Sequence, residues 1–184
     1  MAQSPFTQPP QGKAEEDVIG DERRLFSLAV ETWMSVPDLD VEPLGYRRVL
    51  TPEESADWRR RLQRRWGLQD MSWYPMLASP VPEDVLILKE ASMWDRQGVA
   101  RVRTALQDMG GLRVAELREY GADYLLDIEL FASTYNGAEG VWSDDSLGWI
   151  AYASHEGTVA FGGLLASVLS ATWRNLEEWR WSGW

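Results

Sequence analysis

Apolar residues recur along this chain in two rhythms, one near the helical period and one alternating, and each predicts its own elements. Leu25, Leu28, Ala29 and Trp33 fall at helical spacing, with Asp21 placed to cap a helix running to Met34. Pro37, Pro43 and Gly45 then mark a loop. Thr51-Pro52-Glu53-Glu54 is a capping box with proline at the first helical position, so hydroxyl and carboxylate each satisfy an orphan N–H. It predicts a helix from Pro52 to Trp66, with Trp58, Leu62 and Trp66 on one face and Gly67 as the left-handed C-cap. Val85-Leu86-Ile87-Leu88 is a short apolar run between turn signals, read as a strand. A helix from Ser92 to Met109 follows; Gly98 weakens it and Gly110-Gly111 ends it.

The second half alternates instead. Leu112 to Glu119 does so imperfectly and Tyr124 to Leu130 well. A strand over Tyr124–Leu130 puts Tyr124, Leu126, Ile128 and Leu130 on one face, and Asp123, Leu125, Asp127 and Glu129 on the other. Gly121 suits the hairpin turn between the two runs. Ser133 to Leu147 is polar and reads as a loop. Trp149–Ala153, a tight His-Glu-Gly turn and Thr158–Phe161 make a second hairpin, and an amphipathic helix closes the chain from Leu164 to Trp179. The fold class is therefore α+β: an antiparallel sheet of about four to five strands in the second half, packed by N-terminal, central and C-terminal helices. Residues 1–15, rich in Gln, Pro and Ser, read as a disordered tail ahead of a single domain over residues 16–184.

Composition adjusts this picture in three ways. Eleven tryptophans exceed what a small core readily hides, so two or three are expected at the surface. Eighteen basic against twenty-nine acidic residues give a net charge of −11, which repels nucleic acid and anionic membrane and attracts basic partners. The absence of cysteine rules out disulfides, thiolate catalysis and Cys-based zinc sites. No apolar run approaches a membrane span, and the N-terminus has no apolar signal core, so a cytoplasmic protein without cofactor is the simplest expectation.

Candidate chemistry is sparse. His155 is the one histidine, so every His-dependent mechanism has a single candidate; Ser154 beside it makes no dyad, because strand neighbours point to opposite faces. Asp123, Asp127 and Glu129 form either a solvated sheet face, a docking surface for a basic partner or, as an Asp127/Glu129 pair, hydrolytic acid–base machinery. Asp144-Asp145, with Glu139 upstream, lacks the spacing of a calcium loop, and no metal is expected. Arg59, Arg60, Arg61, Arg64 and Arg65 form the one basic cluster, read first as solvated ion pairs with Glu53, Glu54 and Asp57, and second as bridges to the acidic sheet or across a homodimer. Phe161-Gly162-Gly163 lacks the lysine and spacing of a phosphate loop.

The segment Trp149-Ile150-Ala151-Tyr152-Ala153-Ser154-His155-Glu156-Gly157-Thr158-Val159-Ala160-Phe161-Gly162-Gly163, followed by a Trp-bearing helix, resembles a stretch in small cytosolic immunity proteins that bacteria make against polymorphic or contact-dependent toxins. The resemblance implies an α+β protein that neutralises a cognate toxin by one-to-one binding, and it carries over no catalytic residue. The leading expectation is an immunity-type inhibitor of a basic toxin domain, binding through Asp123, Asp127, Glu129, Asp144, Asp145, Trp142 and Trp149 on an outward-facing part of the sheet. The alternatives are a small hydrolase using His155 or the Asp127/Glu129 pair, and a structural or adaptor subunit with a homodimer or assembly neighbour.

Overall fold

Among the described residues, seven strands, each hydrogen-bonded antiparallel to its neighbours, make one continuous sheet. The structure, a computed structural model, describes residues 46–183 apart from Ser79 and Asp95, and apart from the side chains of Met76 and Arg96. The tail over residues 1–15, the helix expected over Asp21–Met34 and the loop up to Gly45 lie outside the described residues. In chain order the elements are β1 (Arg47–Val49), α1 (Pro52–Trp66), β2 (Val85–Lys89), α2 (Arg96–Asp108), β3 (Arg113–Arg118), β4 (Tyr124–Asp127), β5 (Gly140–Ser143), β6 (Trp149–Ser154), β7 (Thr158–Gly163), α3 (Leu164–Thr172) and α4 (Leu176–Trp179). Strand order across the sheet is β1-β4-β3-β5-β6-β7-β2. The class is α+β, with seven strands where four to five were expected.

Local chemistry sets α1 as the capping box requires. The Thr51 hydroxyl accepts from the Glu54 N–H at 3.3 Å, the Glu54 carboxylate accepts from the Thr51 N–H at 2.9 Å, and Gly67 closes the helix at φ 71°. Trp58 and Leu62 then face the sheet together with Leu68, Met71 and Trp73 from the segment after the helix. These cover Ile87, Ala115, Leu117, Val141, Ile150, Tyr152 and Ala160, one face of the strands. The other face, with Leu86, Leu88, Val114, Leu126, Trp142, Trp149 and Phe161, packs against Val102, Ala105 and Leu106 of α2 and Leu165, Ala166 and Leu169 of α3. Every residue of β5 and β6 is buried. Helices and loops thus cover both faces of the central strands β5, β6 and β7, while β1, β3 and β4 keep exposed or partly exposed residues.

Several boundaries differ from expectation for reasons visible in the packing. Strand β5 lies in the segment expected to be a loop; it is too short to show alternation and exists because β3 and β6 pair with it on both sides. Gly140 at its start is required, because a Cβ there would collide with the Trp142 ring on the same face. Strand β4 stops at Asp127, and Ile128–Leu130 turns into a 3-10 helix, which tucks Ile128 into the core. Helix α2 begins at Arg96, after a 3-10 turn over Glu90–Met93, and Gly98 lets its first turn press on the Ser92 backbone. The final helix breaks after Thr172, where Asn175 takes φ 61°.

The chain end closes one sheet edge. Arg180 forms a bridge with Leu88, and the Trp181 N–H donates to the Ile87 carbonyl at 3.1 Å. Trp179 packs on the core beneath α2 and α3 and Trp181 on the core beneath α1, so the segment clasps β2 from both sides. Covering an unpaired edge in this way removes a template for aggregation.

Candidate functional site

The strand register gathers the termini of six elements at one end of the sheet. Strands β3, β6 and β2 end there, at Arg118, Ser154 and Lys89, while β5, β7 and β4 begin there, at Gly140, Thr158 and Tyr124. Glu139, one residue ahead of β5, is buried at this end, and its own backbone extends the pairing with β3: the Glu119 N–H donates to the Glu139 carbonyl at 3.0 Å.

Four side chains converge on the Glu139 carboxylate. The Tyr74 hydroxyl donates at 2.8 Å, the Tyr152 hydroxyl donates at short range, the Ser72 hydroxyl lies at 3.4 Å, and Nδ1 of His155 lies at 2.6 Å. They come from β6, from the β6–β7 turn and from the segment after α1. That segment is delivered by a tight turn in which Asp70 and Met71 both have positive φ while Gln69 and Ser72 exchange backbone hydrogen bonds. Two consecutive left-handed residues without glycine cost stability, and burial of Met71 in the core beneath α1 offsets it. Tyr74 also packs edge-on against Tyr152, with ring centroids 5.7 Å apart.

The electrostatics follow from these contacts. Burial would raise the Glu139 carboxyl, but hydrogen bonds from Tyr152, Tyr74 and His155 outweigh it and hold the group below its ordinary value. The hydrogen bond to Glu139 leads in raising His155 above its ordinary value, with Glu156 and Glu119 adding negative charge nearby. Burial, then the Glu139 and Tyr74 contacts, push the Tyr152 phenol far up, so it remains a neutral donor. Nε2 of His155 lies 3.1 Å from Glu156, so both ring nitrogens face carboxylates and the imidazolium is the favoured form. A general base needs a free ring nitrogen. Here neither is free. Ser154 is buried and accepts from the Glu156 N–H at 3.1 Å, so it is not aimed at the imidazole.

Around this centre the surface is acidic and aromatic. Glu119 and Glu156 are exposed, Tyr120 is 67% exposed, and Tyr135 is exposed. The Glu119 carboxylate beside its hydroxyl, with Tyr135 and Glu139 close enough to act, raises Tyr120. Glu90 accepts from the Tyr135 N–H at 2.7 Å and donates its own N–H to Gly157 of the β6–β7 turn. Lys89 and Arg118 end their strands here as well, so the end is not free of positive charge. Trp94, 74% exposed after the Glu90–Met93 turn, is the one exposed tryptophan among the described residues.

The residues expected to share an outward sheet face do not do so. Trp142 and Trp149 are sunk in the core beneath α2 and α3, because both sheet faces are covered. Asp123 is buried at the Glu139 end, where it takes Arg59 at 2.7 Å and the Arg118 N–H at 2.9 Å. Asp127 is at the opposite end, accepting from the Tyr46 N–H at 2.7 Å and from Arg113; the first of these leads in lowering it. Glu129 sits on the 3-10 turn beyond the strand. Asp144 is consumed by a turn that accepts from Ser146 and from the Trp149 indole at 2.7 Å, and exposed Asp145 pairs with Arg61. Among the arginines, Arg59 and Arg61 thus bridge to the sheet loops, while Arg60 pairs with Asp57 along the helix. Glu139 and Asp144-Asp145 lie at opposite ends of β5 and do not converge as a calcium loop would require; no metal-binding group of three or more such side chains occurs among the described residues.

Two concave regions accompany the centre. A cleft of about 520 Å³ is lined by Trp66, Trp73, Tyr74, Pro75 and Asp84 among others, and shares Ser72 and Tyr74 with the Glu139 network. A groove of about 600 Å³ at the far end is lined by Gln107, Leu112, Arg113, Asp127 and Glu129. No helix among the described residues is long and apolar enough to cross a membrane. No family model matches the chain, and no curated protein or solved structure shows significant similarity to it.

Proposed function

We propose that this chain is a cytoplasmic binding protein of the immunity type, neutralising a basic toxin domain by stoichiometric association. The observation that carries the reading is the acidic, aromatic end of the sheet, where Glu119, Tyr120, Tyr135 and Glu156 stand exposed around a buried, charged Glu139. The docking region is therefore this end and not the sheet face. Carboxylates there speed encounter with a basic partner, and exposed tyrosines supply large rigid contact area. The segment that resembles immunity proteins contributes the His155-Glu156 turn to the same end, and the net charge of −11 favours the same kind of partner.

The test is co-purification of the intact chain with the products of the reading frames adjacent to its gene. A one-to-one complex with a basic domain, and relief of that domain's toxicity on co-expression, is the expected result. Failure of every such product to bind would overturn the reading.

A hydrolase is the second reading, and one observation favours it: Asp127 and Glu129 both line the 600 Å³ groove. Against it, Asp127 is held below its ordinary value by the Tyr46 N–H and by Arg113, so at neutral pH it is ionised and cannot serve as the general acid of the pair. Turnover of an ester or glycoside panel that Asp127→Asn abolishes would establish it.

A further inference from the structure

The loop entering β5 carries a chemically labile pair. The chain holds two asparagines, Asn136 followed by Gly137 and Asn175 followed by Leu176. Asn136 and Gly137 are both exposed. Gly137 has φ +91° with open space around it, and its N–H donates no hydrogen bond among the described residues. The Asn136 carboxamide oxygen accepts from the Arg118 guanidinium. An unbonded peptide nitrogen on a residue with no side chain, next to a carboxamide whose carbonyl is already polarised, favours intramolecular attack.

We propose that Asn136 is a site of spontaneous deamidation through a cyclic imide, with water as the co-reactant. The Gly137 nitrogen bonds to Cγ of Asn136 and gives up its proton; the Cγ–Nδ2 bond breaks and ammonia leaves with that proton. Water then opens the imide at either carbonyl, giving isoaspartate or aspartate. No oxidant, metal or enzyme enters the balance. Either product adds one negative charge to a chain of net charge −11, and in the aspartate product the carboxylate meets the guanidinium that already held the amide, a stronger contact than the one it replaces. Asn175 is the internal control: it precedes buried Leu176, whose branched side chain shields the attacking nitrogen.

The modified position lies three residues before the buried carboxylate of Glu139 and beside exposed Tyr135, so deamidation changes the charge of the acidic end itself. That consequence rests on the binding reading; the chemistry does not, and its test does not involve a partner.

The experiment is incubation of the intact folded chain at mildly alkaline pH with peptide-resolved mass spectrometry, alongside a synthetic peptide spanning residues 133–139. The expected result is an amide-to-acid mass gain at Asn136 at a rate within one order of magnitude of the peptide, with isoaspartate as a product and Asn175 unchanged. Asn136→Gln should abolish the gain, and Gly137→Ala should slow it. A folded chain that reacts more than one order of magnitude slower than the peptide, or that deamidates equally at Asn175, overturns the assignment.

Discussion

Nδ1 of His155 lies 2.6 Å from a Glu139 carboxylate whose side chain is 4% exposed, while the histidine ring itself is half in water. The two residues are sixteen apart in sequence and are joined because β5 and β6 pair with Gly140 opposite Ala153. A surface charge is thereby anchored to an interior one, and the anchor ties the β6–β7 turn to the Ser72–Tyr74 segment.

This contact makes stability depend on pH with a defined sign. His155 is raised in the folded chain, so its contribution is fully present below the ordinary value of 6.5 and is lost as pH climbs through the raised value. Glu139 is lowered, so its contribution is present above the ordinary 4.5 and is lost as pH falls through the lowered value. Thermal melts across this range should show the wild-type advantage over His155→Gln shrinking on the alkaline side. A constant advantage would contradict the pairing.

Glu139 is the hub of its network, and removing the hub should cost more than removing a spoke. Glu139→Ala leaves the buried Tyr152 hydroxyl without its acceptor and should cost about 3 kcal/mol in urea denaturation. Tyr152→Phe removes one donor of several and should cost about 1–2 kcal/mol. Equal costs would show that the carboxylate does not organise the site.

Two arginines of α1 reach carboxylates of very different burial. Asp123 is 5% exposed at its side chain and Asp145 is 91% exposed. Asp123→Ala should therefore cost about 3 kcal/mol, since it strands Arg59 and the Arg118 N–H, whereas Asp145→Ala should stay within about 0.5 kcal/mol. Chemical denaturation of the two variants separates a structural ion pair from a solvated one.

Gly162 in β7 has no room for a side chain. A Cβ there would meet Ile150 and Trp73 at 2.8 Å and Trp66 at 3.1 Å, all packed and none free to swing away. Gly162→Ala should destabilise by about 1–3 kcal/mol through overpacking. A neutral result would mean that the Trp66–Trp73 pair is looser than its 6.0 Å edge-to-face geometry indicates.

The two ends of the sheet make opposite forecasts for association. Reversing Glu119 and Glu156 together should slow association with a basic partner by about tenfold at low salt and flatten its salt dependence. Reversing Asp127 and Glu129, at the other end, should leave the rate unchanged. Stopped-flow or surface-based kinetics on the two double variants would show which end docks, and the reverse outcome would return the contact to the residues that alternation first suggested.

How much of this was legible in the sequence differs by element. Thr51, Glu54 and Gly67 act on atoms within a few residues of themselves, so α1 could be bounded to the residue from local chemistry. The hairpin around His155 was equally legible, because alternation and a glycine turn are also local signals. The β4 alternation was read one turn too far, since Ile128 reaches the core by a 3-10 turn as readily as by continuing a strand. Glu139 stood in a polar stretch that reads as a loop, and nothing near it in sequence announces that Tyr74, Tyr152 and His155 would surround it.

By itself, then, the sequence determined what depends on neighbouring residues: the α+β class, the capped helix, the hairpins and the overall negative charge. Tertiary structure alone decided which carboxylates are buried and which rings face water. Burial is a property of what covers a residue, and the covers here, α1 on one face and α2 with α3 on the other, come from far along the chain. The same physics moved the tryptophans of β5 and β6 inward and left carboxylates and tyrosines exposed together at one end of the sheet.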